Sequence, residues 1–172
     1  MPHVAPGNKE LVRQGTEEVI NRGNTSYVDE YFTDDYVHHD GIAIRDRDGF
    51  KTYFKELRDA FPDMQFRIDD EVAEGDRVLQ RVTFTGTHVG PFRGLPPTGR
   101  AVSLAGFDLF RIEQGKIAEQ WSVFDSAAML DQLGVLPPPG GSPLGFLGWA
   151  ARTMGRIGVL SVRARRNAKK AS

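Results

Sequence analysis

VLQRVTFTGTH (78–88), VGPFRGLPPTGR (89–100), AVSLAGFDLFRI (101–112), EQGK (113–116) and IAEQWSVFD (117–125) follow one another without a break, and their reading decides the fold. In the first piece Val78, Gln80, Val82, Phe84, Gly86 and His88 share one parity, the period-2 signature of a long strand. A loop rich in Gly and Pro follows. A second strand is expected over 102–112, a tight turn at Glu113-Gln114-Gly115-Lys116, and a last strand over 117–125. The same period reaches back over 65–73 through Phe66, Ile68 and, less regularly, Val72, with Glu74-Gly75-Asp76 as the hairpin turn.

Upstream the period changes to 3.6. Leu11, Val12, Gly15, Val19 and Ile20 predict a helix over 8–22 that stops at Gly23-Asn24. A second short helix is expected over 27–32, then a turn at Thr33-Asp34-Asp35 and a short strand over 36–39. Asp48 reads as the N-cap of a helix through Phe50, Tyr53, Phe54, Leu57 and Ala60, ended by Pro62. One closing helical turn fits 127–133. Helices followed by a long antiparallel meander make an α+β domain rather than a parallel sheet.

Composition narrows the function. With 40% hydrophobic and 26% charged residues the chain can bury a core, and its 172 residues suit one domain with an appendage. The absence of cysteine excludes a disulfide framework, a zinc–thiolate site and a cysteine nucleophile. The first residues show no secretory signal and no stretch is long and apolar enough to span a membrane, so a cytoplasmic location is expected. Charge is unevenly spread: residues 132–172 carry +7 and the rest −8, for a net −1. Accordingly the domain is placed at 1–134, a Pro/Gly linker at 135–145, and a basic amphipathic or weakly ordered tail at 146–172. Weak contact with an anionic membrane surface is one use for such a tail, a solvated extension the plainer one; no nucleic-acid partner is expected.

Several pieces in this order, YVHHD (36–40), AFPDM (60–64), EGDRV (74–78), GTHVGPFRGLPPTGR (86–100), GKIAEQWSVFD (115–125) and QLG (132–134), resemble the SnoaL-like polyketide cyclases. These ester cyclases belong to the nuclear transport factor two-like superfamily. The likeness covers about residues 8–135, and its GTH-to-TGR string is the most specific part. It implies a cone-shaped roll, N-terminal helices packed on a strongly curved antiparallel sheet. The implied chemistry is metal- and cofactor-free intramolecular aldol ring closure on a small, carbonyl-rich apolar molecule such as a polyketide ester. Under the resemblance the acid/base aspartate maps onto Asp125, and the histidine after the first short strand onto His39.

On physical grounds Asp125 shares parity with Glu119, Trp121 and Val123, so a regular strand would aim all four at one face. A carboxylate beside an indole in an apolar cone would titrate near working pH. Otherwise Asp125 caps the helix that follows. His38 and His39, being neighbours on a strand, face opposite sides, so at most one enters a pocket. His88 lies near the pocket mouth, either contacting substrate or holding a turn. Asp108 either brings a second carboxylate into the cavity or faces outward toward Arg81 or Lys116. Phe54, Phe84, Phe110 and Trp121 are core residues, some of which must wall the cavity. No histidine spacing suits a metal. Apolar residues on the outer sheet face suggest a homo-oligomer. The competing expectations are a non-catalytic binding or dimerising module, and an isomerase or hydrolase using the same pocket.

Overall fold

A computed structural model describes residues 7–41 and 43–137, with residues 142, 144–145, 147–151 and 155 beyond them. The elements run α1 (Asn8–Gly15), a π-helical continuation (Thr16–Asn21), α2 (Ser26–Tyr31), β1 (Phe32–His39), β2 (Ile44–Arg45), α3 (Arg47–Ala60), β3 (Gln65–Glu74), β4 (Arg77–Thr87), β5 (Ala101–Glu113), β6 (Lys116–Phe124) and α4 (Ser126–Gln132). Alternation governs the two long strands residue by residue. In β4 the expected set, Val78 through Gly86, is buried at every second position, and His88 just beyond keeps the pattern. In β5 the buried set is Val102, Leu104, Gly106, Asp108, Phe110 and Ile112. Both sets face the helices.

The six strands lie in the order β2-β1-β6-β5-β4-β3. The sheet is mixed, not wholly antiparallel: β1 runs parallel to β6, with Val37, His38 and His39 beside Glu119, Gln120 and Trp121. That pairing joins residues some eighty positions apart, which no local pattern encodes. β1 also begins earlier than expected. Thr33-Asp34-Asp35 is strand rather than turn, with a register shift between Phe32 and Val37 that leaves Asp34 and Asp35 exposed.

The helices cover one face of the sheet. Leu11, Val12, Val19 and Ile20 from the first helix, and Phe50, Phe54, Leu57 and Ala60 from α3, meet Val78, Val82, Phe84, Leu104 and Phe110 in one core. Burial of each large side chain contributes roughly 1.5–3 kcal/mol. The predicted 8–22 helix is continuous but widens after Gly15, where Arg22 N donates to Glu17 O across five residues at 2.9 Å. Asp46, not Asp48, caps α3: its Oδ1 accepts from Gly49 N at 2.8 Å. Asp48 lies inside the first turn, where its charge complements the helix dipole instead.

The long β4–β5 loop is pinned at both ends. His88 N donates to Arg100 O at 2.9 Å, and Gly99 N to His88 O at 2.8 Å. Val89 N and Gly90 N both donate to Ala60 O, at 2.9 and 3.1 Å, which lays the loop across the end of α3. Only glycine fits at position 90, because a Cβ there would stand 2.4 Å from Asp59 O. The basic helix expected over 146–170 falls mostly outside the described residues, of which 147–151 are helical. Among the described residues no helix is long and apolar enough to cross a membrane.

Candidate active site

Between α3, the sheet, α4 and the β4–β5 loop lies a cavity of about 390 Å³, within the range of small-molecule sites. Its walls are apolar, with Phe54, Phe66, Phe84, Leu104 and Phe124 prominent. Its polar floor is made by His38 of β1, Asp108 of β5, and Gln120 and Ser122 of β6. Register explains the grouping. Asp108 sits opposite Ser122, Phe110 opposite Gln120, and His38 beside Gln120, all directed toward the helices.

The hydrogen-bond polarity of this floor is determined by counting protons. Tyr36 Oη donates to Gln120 Oε1 at 2.9 Å, which fixes the amide so that Nε2 donates to Asp108 Oδ1 and to Ser122 Oγ, both at 3.1 Å. The Ser122 hydroxyl gives its one proton to Asp108 Oδ1. Its oxygen must therefore accept from His38 Nε2, 3.0 Å away, so His38 carries its proton on Nε2. Every donor in the chain thus points ultimately at Asp108 Oδ1. Among the described residues both donors go to Oδ1 and none to Oδ2, and Asp108 lines the cavity.

Burial decides the protonation states. Asp108 is 4% exposed, and desolvation pushes its pKa up to about 6 against the opposing hydrogen bonds from Ser122 and Gln120. Desolvation also pushes His38 down to about 4, so its ring is neutral at pH 7. Tyr36 is raised well above its ordinary value, first by burial and then by the nearby Asp108 charge. The floor at neutral pH is one carboxylate, one neutral imidazole and neutral hydroxyl and amide groups.

The structure separates the residues that sequence reasoning grouped. Asp108, Phe54 and Phe84 line the cavity; Asp125, His39, His88, Trp121 and Phe110 do not. Asp125 is exposed and caps α4, its Oδ1 accepting from Ala128 N at 2.8 Å. The expected inward set 119, 121, 123 and 125 is the outward one; Gln120 and Ser122 point in. His39 and Trp121 stack on the opposite sheet face, ring centroids 5.3 Å apart, and His39 Nε2 bonds Glu119 Oε1 at 2.9 Å. Burial disfavours the Glu119 charge, but the bonds from His39 and Arg111 outweigh it and hold the carboxyl below its usual range. His88 is buried against Phe61, centroids 5.0 Å apart, with Nδ1 3.2 Å from Thr98 Oγ1, and so anchors the loop. Phe110 belongs to the core behind the floor. Missed by sequence reasoning were His38, Gln120 and Ser122; parity with Val102, Leu104 and Phe110 could identify Asp108 but not these.

Cavity size depends on Gly106, which lies opposite Phe124 in the sheet. A Cβ at Gly106 would stand 2.3–2.7 Å from three atoms of the Phe124 ring. Gly106→Ala is expected to drive that ring from its place in the cavity wall, costing about 1–3 kcal/mol of stability. Ligand affinity should fall with it, and calorimetric titration beside thermal unfolding would check both; unchanged affinity would reject the role given to Phe124.

Helices packed on one face of a mixed sheet, around an apolar cavity with a buried carboxylate on its floor, define a small α+β cavity domain. The SnoaL-like polyketide cyclase profile matches residues 10–133, and the chain belongs to that family. It is 32% identical over 120 residues to nogalonic acid methyl ester cyclase of Streptomyces nogalater, covering 67% of this chain and 89% of the relative. It is 30% identical over 130 residues to aklanonic acid methyl ester cyclase of Streptomyces peucetius, covering 73% and 89%. The crystal structure of wild-type IdmH from Streptomyces antibioticus is also similar, at 33% identity and a TM-score of 0.66 over 76% of this chain and all of that one (100%).

Proposed function

We propose that this chain closes a ring in a carbonyl-rich, largely apolar polyketide ester by intramolecular aldol addition, with Asp108 as the acid/base group. One observation carries the reading: Asp108 is buried in the apolar cavity, titrates near pH 6, and among the described residues takes its donors on Oδ1 and none on Oδ2. Such a carboxylate is ionised at neutral pH yet basic enough to accept a proton from carbon flanked by two carbonyls. Oδ2 takes that proton and the C–H electron pair becomes the enolate. The enolate carbon bonds a second carbonyl carbon of the same molecule, whose π pair moves onto its oxygen. That alkoxide recovers the proton from Asp108. Neutral His38 and Ser122 fix the carboxylate's orientation through Oδ1, and apolar walls fold the chain so that the two carbons meet.

Asp125, the base implied by resemblance, is replaced in this reading because it lies outside the cavity. Its exposure would favour a non-catalytic binding module were Asp108 not in the floor. Exposed Phe107 and Val123 support the homo-oligomer included in the same reading.

The test is a pH–rate profile on an aromatic polyketide methyl ester. Turnover should fall about tenfold per pH unit below about pH 6. Ser122→Ala removes a hydrogen bond that lowers the Asp108 pKa, so its acid limb should lie at higher pH than wild type. A profile flat across the acid range, or a limb that moves down in Ser122→Ala, would reject Asp108 as the base.

A further inference from the structure

The floor accounts for the chemistry, but the cavity mouth carries charge that the chemistry does not use. Asp40, which follows β1, and Arg93, in the β4–β5 loop, both line the cavity. The Asp40 side chain is only 7% exposed and among the described residues accepts from Ala43 N at 2.7 Å on Oδ1 and from Arg45 Nη1 and Arg93 Nη2, each at 2.8 Å, on Oδ2. Among the described residues this one carboxylate faces two guanidiniums.

Arg93 is held there at some conformational cost. Phe92 and Leu95 exchange hydrogen bonds, Phe92 N to Leu95 O at 2.9 Å and Leu95 N to Phe92 O at 2.8 Å, closing a two-residue turn. Arg93 and Gly94 form its tip, with φ of 48° and 79°. Glycine or asparagine is the ordinary occupant of such a first position; a long side chain is strained there. The guanidinium also lies over two rings, its Cζ 5.5 Å from the centroids of both Tyr53 and Phe92. The Arg45 Cζ is 4.4 Å from the Tyr53 ring as well. The turn, ion pair and ring contacts together hold the guanidinium at the cavity wall, where among the described residues Nη2 is the nitrogen that bonds protein.

We infer that Arg93 is a specificity-determining residue that receives an anionic oxygen of the substrate at the cavity mouth. The ligand class this defines is an aromatic or polyene polyketide carrying a carboxylate, or an enol or phenol that ionises as readily, on the end farther from Asp108. Arg93 marks the solvent side, its side chain 36% exposed, whereas Asp108 lies at the buried floor. The apolar middle of the molecule then spans the phenylalanine walls. Asp40 holds Arg93 in place before the ligand arrives, which limits the ordering needed on binding. The inference rests on the cyclase reading for the substrate class but not for the binding contact itself.

Calorimetric titration of the full chain with anthraquinone-2-carboxylate and with its methyl ester separates the two. Wild type should bind the carboxylate about tenfold or more tightly than the ester, as a charge-assisted contact predicts. The preference should shrink as salt is raised. Arg93→Gln should remove the preference while changing ester affinity little, and Arg93→Lys should keep part of it. Equal affinity of wild type for both probes, binding of neither, or an equal loss for both in Arg93→Gln would overturn the inference. Asp108→Asn should retain the preference; if it retains turnover too, the cyclase mechanism fails while the Arg93 contact stands.

Discussion

Asp108→Asn is expected to lower turnover of a cyclisable polyketide ester by about 10²- to 10⁴-fold, the usual contribution of a positioned general base, with substrate affinity nearly unchanged. The substitution is well suited to the site. Asparagine presents a carbonyl oxygen where Oδ1 now accepts from Ser122 and Gln120, so both donors keep their acceptor. Its amide group replaces Oδ2 and cannot take up a proton at neutral pH. A fall in kcat with KM retained, measured by the loss of substrate absorbance, is the expected result. Loss of binding instead would assign Asp108 to ground-state recognition, and full activity would remove it from the mechanism. Asp125→Ala provides the contrast. Removing an N-cap costs about 1 kcal/mol of stability and, under this reading, little of the rate.

The sequence points to Asp125 rather than His38 for a physical reason. β4 and β5 were legible because their inward residues are mostly apolar. Asp108 could be placed by its parity with Val102, Leu104 and Phe110, although Arg81 and Lys116 left an outward alternative open. β6 inverts the rule. Its inward residues Gln120 and Ser122 are polar because they build the floor, while Trp121 and Val123 lie on the outer face. An alternation read as apolar-inside therefore selects the wrong side at the strand that carries the site. β1 poses a different problem. Adjacent histidines guarantee opposite faces, but the register shift after Phe32 breaks the count from the helix, and the parallel pairing with β6 is non-local. The helix-capping alternative for Asp125, by contrast, was present in the sequence as an aspartate directly before a helical turn, and the structure places it there.

The same two buried groups that equip the floor should leave opposite marks on stability. Asp108 titrates at about 6 in the fold, above the 3.8 of an unperturbed aspartate. Between those values the folded state keeps a proton that the unfolded chain has released, so stability falls as pH rises through that window. That difference amounts to roughly 3 kcal/mol withheld from the fold at neutral pH. His38 works the other way, its folded value of about 4 lying below the 6.5 of an unperturbed histidine. Below pH 6.5 the unfolded chain gains a proton that the fold refuses, and stability drops by roughly 3 kcal/mol as pH falls toward 4. In wild type the two slopes largely cancel. Asp108→Asn removes only the first, so urea unfolding should show it to be more stable than wild type by up to about 3 kcal/mol at pH 8, an advantage that disappears near pH 4. His38→Gln should show the reverse, losing less stability than wild type on acidification. Other paired carboxylates weaken in acid in all three proteins, so the differences between curves are the quantity to read. Parallel curves for wild type and Asp108→Asn would mean that Asp108 is not held above its ordinary range, and the base would then lack the basicity assigned to it. Divergence in the stated direction would mean that the fold tolerates a buried charge its stability does not need, and the cavity's chemistry is the reason left for keeping it.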